Sequence, residues 1–470
     1  MQLPITDISP IVREHAPYFH DLFQNEPQIR HFDNYLTGLI TLDNKTMSNI
    51  ARCILDSADK TNLSRFFTDA KWDATDVNTA RLKYMLEQTE GRRRKTKDGV
   101  LPIDDTMCEH VGNLFEYVDK HYNHTDGTYP LAHNLVTSHF VSGAVRFPID
   151  YRLYRRYEEF TQWETYVAQY FPSETIPKKK KEHTNFRKRV EPTLLKDPEF
   201  LVLHQAFQTK IAMAVELVEH AVANEIPFDT VLFDSWFLAR ELVTVLNKHN
   251  KNWISILKSN RNVLTSSFTL KDAAGQPIQF EKSKIQIKEL VPLIPPSAFK
   301  PLAVEGTTYY CFTKNLFLPS LGKVRLVISF DNPKCEGNFV VLVTNHLSWN
   351  AKKIIATYLL RWPIETFYQD CKQLLGLDDY RMRHALAIGK HWSLVFVAYS
   401  FLHLASLPKS QCKKAKSPIK SIGQVVRQQQ QAAIEQLILY AHQLLQSGQQ
   451  ATQVFESLFI KQKPILIPTG

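Results

Sequence analysis

The stretch FDTVLFDSW (228–236), FLARELVTVLNKHN (237–250) and WISILKS (253–259) decides the fold. The first and third segments are short, apolar and rich in β-branched or aromatic residues, as fully buried strands are. The second carries apolar residues at helical spacing. Strand, helix and strand in succession predict an α/β sheet. Working outward, PEFLVLHQAFQTKIAMAVELVEHAVAN (198–224) reads as one long helix. Before it, LAHNLVTSHFVSG (131–143) and AVRFPIDYRLYRRY (144–157) read as two strands of a hairpin, and GVLPIDDT (99–106) as a short strand ending in two carboxylates. SETIPKKKKEHTNFRKRV (173–190) reads as an exposed, mobile basic loop. Strands of both kinds of connection predict mixed strand directions.

The flanks complete the layout. Residues 1–98 read as a helical N-terminal domain, with helices over 47–58 and 76–91, the second capped by Thr75 or Asp76. It runs into Arg92, Arg93, Arg94, Lys95 and Lys97, readable as a solvated linker or as a phosphate-binding arm. Residues 99–259 form the first part of the core, and 260–338 a β-rich block broken by Gly and Pro. FVVLVTNH (339–346) returns to the sheet within a second core part, 339–405, and 406–470 closes with a Lys-rich patch and a Gln-rich helix over 424–450.

The 470 residues carry a net charge of +10, a balance that fits a polyanionic partner without requiring one. The six cysteines (Cys53, Cys108, Cys311, Cys335, Cys371, Cys412) form no CxxC pair and read as reduced thiols. The start of the chain lacks a signal peptide's apolar core, and the apolar runs read as too short to span a bilayer, so the expected place is the cytoplasm, on the nucleoid when DNA is bound, with no membrane partner. There is no Gly-rich phosphate loop, Ser-His-Asp arrangement or HExxH motif, which argues against other enzyme classes. His133, His139 and His391 are scattered and read as structural.

Acids at strand ends face the crevice where open α/β sheets bind ligands. Asp104, Asp105 and Asp234 stand in such positions, although each also reads as a turn former or helix cap. TYLLRWPIETFYQDCKQLL (357–375) adds Tyr358, Arg361, Glu365 and Lys372 at i, i+3, i+7 and i+14, one face of a continuous helix. Pro363 interrupts that helix, biases Trp362 away from helical backbone and sets Tyr358 and Arg361 on a different axis from Glu365 and Lys372.

Tyr358-x2-Arg361-x3-Glu365-x6-Lys372 resembles the Tyr-Arg-Glu-Lys (YREK) signature of bacterial insertion-sequence DDE transposases. IDDT (103–106), VLFDSWF (231–237) and LVTN (342–345) resemble the same family's first-aspartate, second-aspartate and returning strands, so the likeness covers about 99–405. The resemblance implies a ribonuclease H-like core with a β-rich insertion, matching the block at 260–338. It implies that Asp104 (Asp105 as alternative), Asp234 and Glu365 are catalytic and ligate Mg²⁺ or Mn²⁺. Two such ions about 4 Å apart stabilise an in-line phosphoryl displacement. It further implies that Tyr358, Arg361 and Lys372 bind DNA phosphates. The implied reaction is hydrolysis at the ends of a transposon and attack of the freed 3′-OH on target DNA, by a homodimer on double-stranded terminal inverted repeats. Relatives pass through a hairpin with a flipped base stacked on an aromatic ring; Trp253, Tyr309, Tyr310 and Trp349 are candidates, each also readable as core. The alternatives are a catalytically inactive, transposase-derived DNA-binding protein and a resolvase-like nuclease.

Overall fold

The computed structural model describes residues 3–57, 59–93, 99–123, 126–408 and 420–459. Helices α1 (Pro10–His15), α2 (Glu26–Thr41), α3 (Met47–Cys53), α4 (Lys60–Thr68) and α5 (Ala74–Thr89) open the chain. Asp73, not Thr75 or Asp76, caps α5, accepting from Thr75 N at 2.6 Å. The basic run after α5 falls largely on residues 94–98, outside the described residues.

Strands β1 (Gly99–His110), β2 (Asp119–Lys120), β3 (Leu131–Ser142) and β4 (Val145–Tyr154) follow. Gly99 opens β1 where a Cβ would stand 2.3 Å from the Pro227 carbonyl oxygen, so only glycine lets the chain approach there. A helical module comes next: α6 (Tyr157–Phe160), α7 (Trp163–Tyr170), α8 (Lys180–Leu194) and α9 (Pro198–Ala206). Then α10 (Lys210–Ala223), β5 (Phe228–Phe233), α11 (Arg240–Lys248) and β6 (Asn252–Ile256) form the predicted alternation. The stretch 260–338 holds β7 (Asn262–Leu264), β8 (Lys284–Gln286), the one-turn α12 (Ile287–Leu290), β9 (Lys300–Val304), β10 (Thr307–Leu318) and β11 (Gly322–Phe330). β12 (Val340–Thr344) precedes α13 (Ala351–Leu359), α14 (Pro363–Leu375), α15 (Ala385–Ser406), α16 (Ile422–Gln446) and α17 (Ala451–Phe459).

Ten strands form one mixed sheet in the order β2-β3-β1-β5-β6-β12-β11-β10-β9, with β4 also on β3. β1, β5 and β6 are parallel to one another, and the remaining pairs are antiparallel. The mixed α/β architecture with helices around the sheet is the ribonuclease H-like arrangement of DDE enzymes. β9, β10 and β11 extend the main sheet, while β7 and β8 pair apart from it.

One apolar core joins the N-terminal helices, the sheet and α15. α15 is long and apolar enough to cross a membrane by length and composition, which corrects the reading that no run is; 83% of its most apolar window is buried inside the protein. Helices α2, α4, α5 and α16 pack on it. Fully buried Arg81 on α5 ties this bundle to the sheet, donating to Pro148 O (2.8 Å), Ile149 O (2.9 Å), Ser400 Oγ (3.2 Å) and Asn78 Oδ1 (2.6 Å).

Three further expectations change. The basic loop at 173–190 is largely helix α8, because Phe186, Val190 and Leu194 recur at i, i+4 and i+8 and pack with Trp163, Val167 and Phe200 in a separate small core. The long helix at 198–224 is two helices: Thr209 accepts from Ala212 N at 3.1 Å and starts α10 afresh. The acids of β1 do not end their strand, since residues 106–110 continue pairing with β3.

Candidate active site

The crevice arises where β1 loses a neighbour. Parallel pairing of β1 with β5 stops at Pro102↔Leu232, whereas pairing with β3 runs on to His110. Carried two residues further, the same register sets Asp104 level with Asp234, which follows the last residue of β5. Helices α13 and α14 bring Tyr358, Arg361 and Glu365 to this place. The guanidinium of Arg361 donates through Nη1 to Asp104 Oδ2 and through Nη2 to Glu365 Oε1. One cation, 257 residues from the β1 acid in sequence, thus joins it to the α14 acid.

Consecutive strand residues point to opposite faces, and the two neighbouring aspartates do so here. Asp104 faces Arg361, while Asp105 Oδ2 accepts from Lys210 Nζ (2.9 Å) on α10 and from Asn134 Nδ2 (3.1 Å) on β3. Asp234 does not cap α11, whose N-cap is Ala239. Its Oδ1 instead closes the turn after β5, accepting from Trp236 N (2.9 Å) and Phe237 N (3.4 Å).

Burial dominates the electrostatics. It pushes the Asp104 carboxyl up to about 7, against the pull of Arg361 and helped by the like charges of Asp105 and Asp234. Burial also pushes the Tyr358 phenol up to about 12, with Asp234 and Asp104 adding to the rise and Arg361 opposing it. The buried Tyr358 hydroxyl lies beside the Arg361 guanidinium and finds no acceptor for its own proton among the described residues. Desolvated carboxylates favour a compact cation, and a hydroxyl without an acceptor favours an oxygen such as a phosphate's.

Among the described residues, no three His, Cys, Asp or Glu side chains converge tightly enough to hold a metal ion by themselves. Asp104 and Glu365 are instead bridged by Arg361, and the charge of Asp234 is felt at Asp104. The donor set nevertheless fits a hard divalent cation: all-oxygen, anionic and half-enclosed.

Pro363 occupies the first turn of α14, and a turn at 360–362 separates it from α13, as its missing N–H requires. Trp362, expected outside the helical region, has φ −52 and ψ −36, so the backbone turns without leaving helical space. Arg361 and Glu365 still meet across the break. Lys372, two turns past Glu365, donates to Met107 O of β1 at 2.6 Å. Gly376, at φ +69, ends α14 in the left-handed conformation.

The aromatic candidates divide. Trp253 is fully buried beside Phe233 and cannot receive a base. Tyr309 and Tyr310 are half-buried on β10, and Trp349 stacks on His346 at 4.4 Å. Trp236 and Trp362, next to Asp234 and Arg361, are 56% and 65% exposed. Sequence reasoning passed over both, although tryptophan one or two positions from a charged site residue is a visible signal. His133, His139 and His391 are buried, with partners Tyr380 and Glu116 O, Thr137, and Tyr35 and Gly376 O respectively. The five described cysteines are free thiols, and Cys412 lies outside the described residues.

Residues 18–288 match the model of a family described as DDE superfamily endonuclease. Residues 202–388 match that of a family described as archaeal putative transposase ISC1217. A protein of Microchaete diplosiphon, named "Probable transposase for insertion sequence element IS701", is 24% identical over 383 residues, 79% of this chain and 82% of that protein.

Proposed function

Because this chain belongs to the DDE superfamily endonuclease family, we propose that it is a cut-and-paste transposase of the Tyr-Arg-Glu-Lys group, cleaving DNA at the ends of an insertion sequence and joining them to target DNA. The observation that carries this reading is the Arg361 bridge between Asp104 and Glu365, level with Asp234.

Asp104, Asp234 and Glu365 would hold divalent ions, two Mg²⁺ or Mn²⁺. Bound there, the ions would supply Lewis-acid stabilisation of the charge that grows on phosphate oxygens. Asp104 is favoured over Asp105 because Asp105 is engaged by Lys210 on the opposite face. Arg361 offers a planar fork to a DNA phosphate, and Tyr358 offers a buried hydroxyl in want of an acceptor. Lys372 adds charge beside β1. Exposed Trp362 and Trp236 would stack an extruded base, in place of Trp253. Pairing of two element ends calls for a homodimer on DNA.

The deciding experiment compares Glu365→Gln with the unaltered chain on duplexes carrying the element's own ends, in Mg²⁺ and in Mn²⁺. The expected result is loss of cleavage in both metals with end binding retained. Wild-type cleavage by the variant overturns the assignment.

A further inference from the structure

Helix α8 is amphipathic in an unusual sense. Its apolar residues Phe186, Val190 and Leu194 all face the module's own core. On the outer surface Lys181, Thr184, Asn185 and Lys188 stand at i, i+3, i+4 and i+7, all exposed, which makes them one stripe. Lys178, Lys179 and Lys180 lead into it. Over 178–189 there are seven Lys and Arg against the single acid Glu182.

Most of these charges are unanswered. Glu182 lies 3.6 Å from Lys179, Glu191 takes Arg187 and Glu174 takes Arg189. Lys178, Lys180, Lys181 and Lys188 have no carboxylate partner among the described residues. Four lysines at 178–181 also crowd the positive end of the α8 dipole, where acids are the stabilising choice. That arrangement costs stability in the free protein and is relieved by an external anion.

The module is rooted on the sheet, its exit on the face of β1 opposite Arg361 and one residue from Asp104. The chain enters through Arg155, whose guanidinium holds Asp119 at 2.7 Å, and leaves through Lys210 on Asp105. We infer that the outer stripe of α8, with the preceding lysines, is a docking surface for the phosphate backbone of duplex DNA outside the cleaved bonds. The inference rests on the transposase reading above. Lysine, threonine and asparagine are phosphate-contacting side chains that position a duplex without reading its sequence. The stripe carries no exposed apolar residue that a lipid surface would bury.

The test uses the full chain and a 40-base-pair duplex of arbitrary sequence, with affinity measured across salt concentrations. The stripe variant is K178Q/K180Q/K181Q/K188Q. A charge-matched control changes four exposed lysines of the β-rich stretch, K271Q/K282Q/K284Q/K334Q. Loss of four phosphate contacts should lower the slope of log K against log salt by about 3 to 4, and affinity at moderate salt by about tenfold or more, in the stripe variant alone. Thr184→Ala/Asn185→Ala, which keeps every charge, should weaken binding several-fold with the slope unchanged. Equal losses in stripe and control variants, or no loss in either, overturn the inference while leaving the transposase reading intact. So does a stripe variant that loses binding to anionic phosphatidylglycerol vesicles but not to the duplex. If the unaltered chain binds no duplex at all, the transposase reading itself fails.

Discussion

Arg81 and Arg361 are both enclosed by protein, yet they answer to different partners. Arg81 donates to two backbone carbonyls, Asn78 and Ser400, all of them neutral. Burial pushes it down to about 9, so it keeps its charge at neutral pH. Arg361 donates to two carboxylates and keeps 17% of its side chain exposed. A cation satisfied by carbonyls has no rival for its place, because a competitor must match its fork of donors. A cation between two half-buried acids occupies a place defined by charge, where another cation would serve. The helical spine thus uses arginine as a structural weld, and the crevice uses it as a charge-balancing partner.

Five substitutions and one titration probe that division. Glu365→Gln should lower the cleavage rate by about 10³-fold or more, several kcal/mol of lost transition-state stabilisation, in single-turnover assays, with the melting temperature little changed. Arg81→Ala should do the reverse, costing about 3 kcal/mol or more of stability in denaturant titrations through orphaned buried acceptors. Equal effects of the two on folding would dissolve the contrast.

Acid should destabilise the spine. His391 and His403 on α15 are held down to about 4 and about 3, chiefly by burial. Their folded values lie below the unfolded 6.5, so the stabilising neutral form is fully present above pH 6.5. Stability is lost as pH falls below that, by up to about 1.4 kcal/mol per group per unit. Melting temperatures between pH 7 and 4 should therefore fall steeply, and His403→Gln should flatten the curve. Arg361→Ala should weaken binding to element ends and reduce the salt slope by about one. The smallest change is expected from Asp105→Asn: about 1 kcal/mol of stability from the partly buried Lys210 pair, with cleavage kept within about tenfold. A loss as deep as that of Glu365→Gln would move the catalytic aspartate to 105.

The site was legible in sequence to the extent that its signals are local. The spacing from Tyr358 to Lys372 and the break at Pro363 can be read along one short stretch of chain, and the parallel strands at 228–233 and 252–256 announce themselves by composition. Which aspartate faces Arg361 depends on register with β3 and β5, a property of pairs of strands. The same holds for Trp253, whose burial comes from sheet packing. Helix α8 was missed because its lysines swamp the three apolar positions that fold it, and those have their partners in α7 and α9.

The helical module between β4 and α10 has its own apolar core, and its two chain ends touch: Lys210 Nζ lies 5.0 Å from the centre of the Tyr154 ring. A unit attached at two adjacent points can be lengthened, recharged or exchanged without shifting any strand register. The lineage of this chain could therefore retune its grip on DNA at one address and leave the cutting chemistry at another untouched.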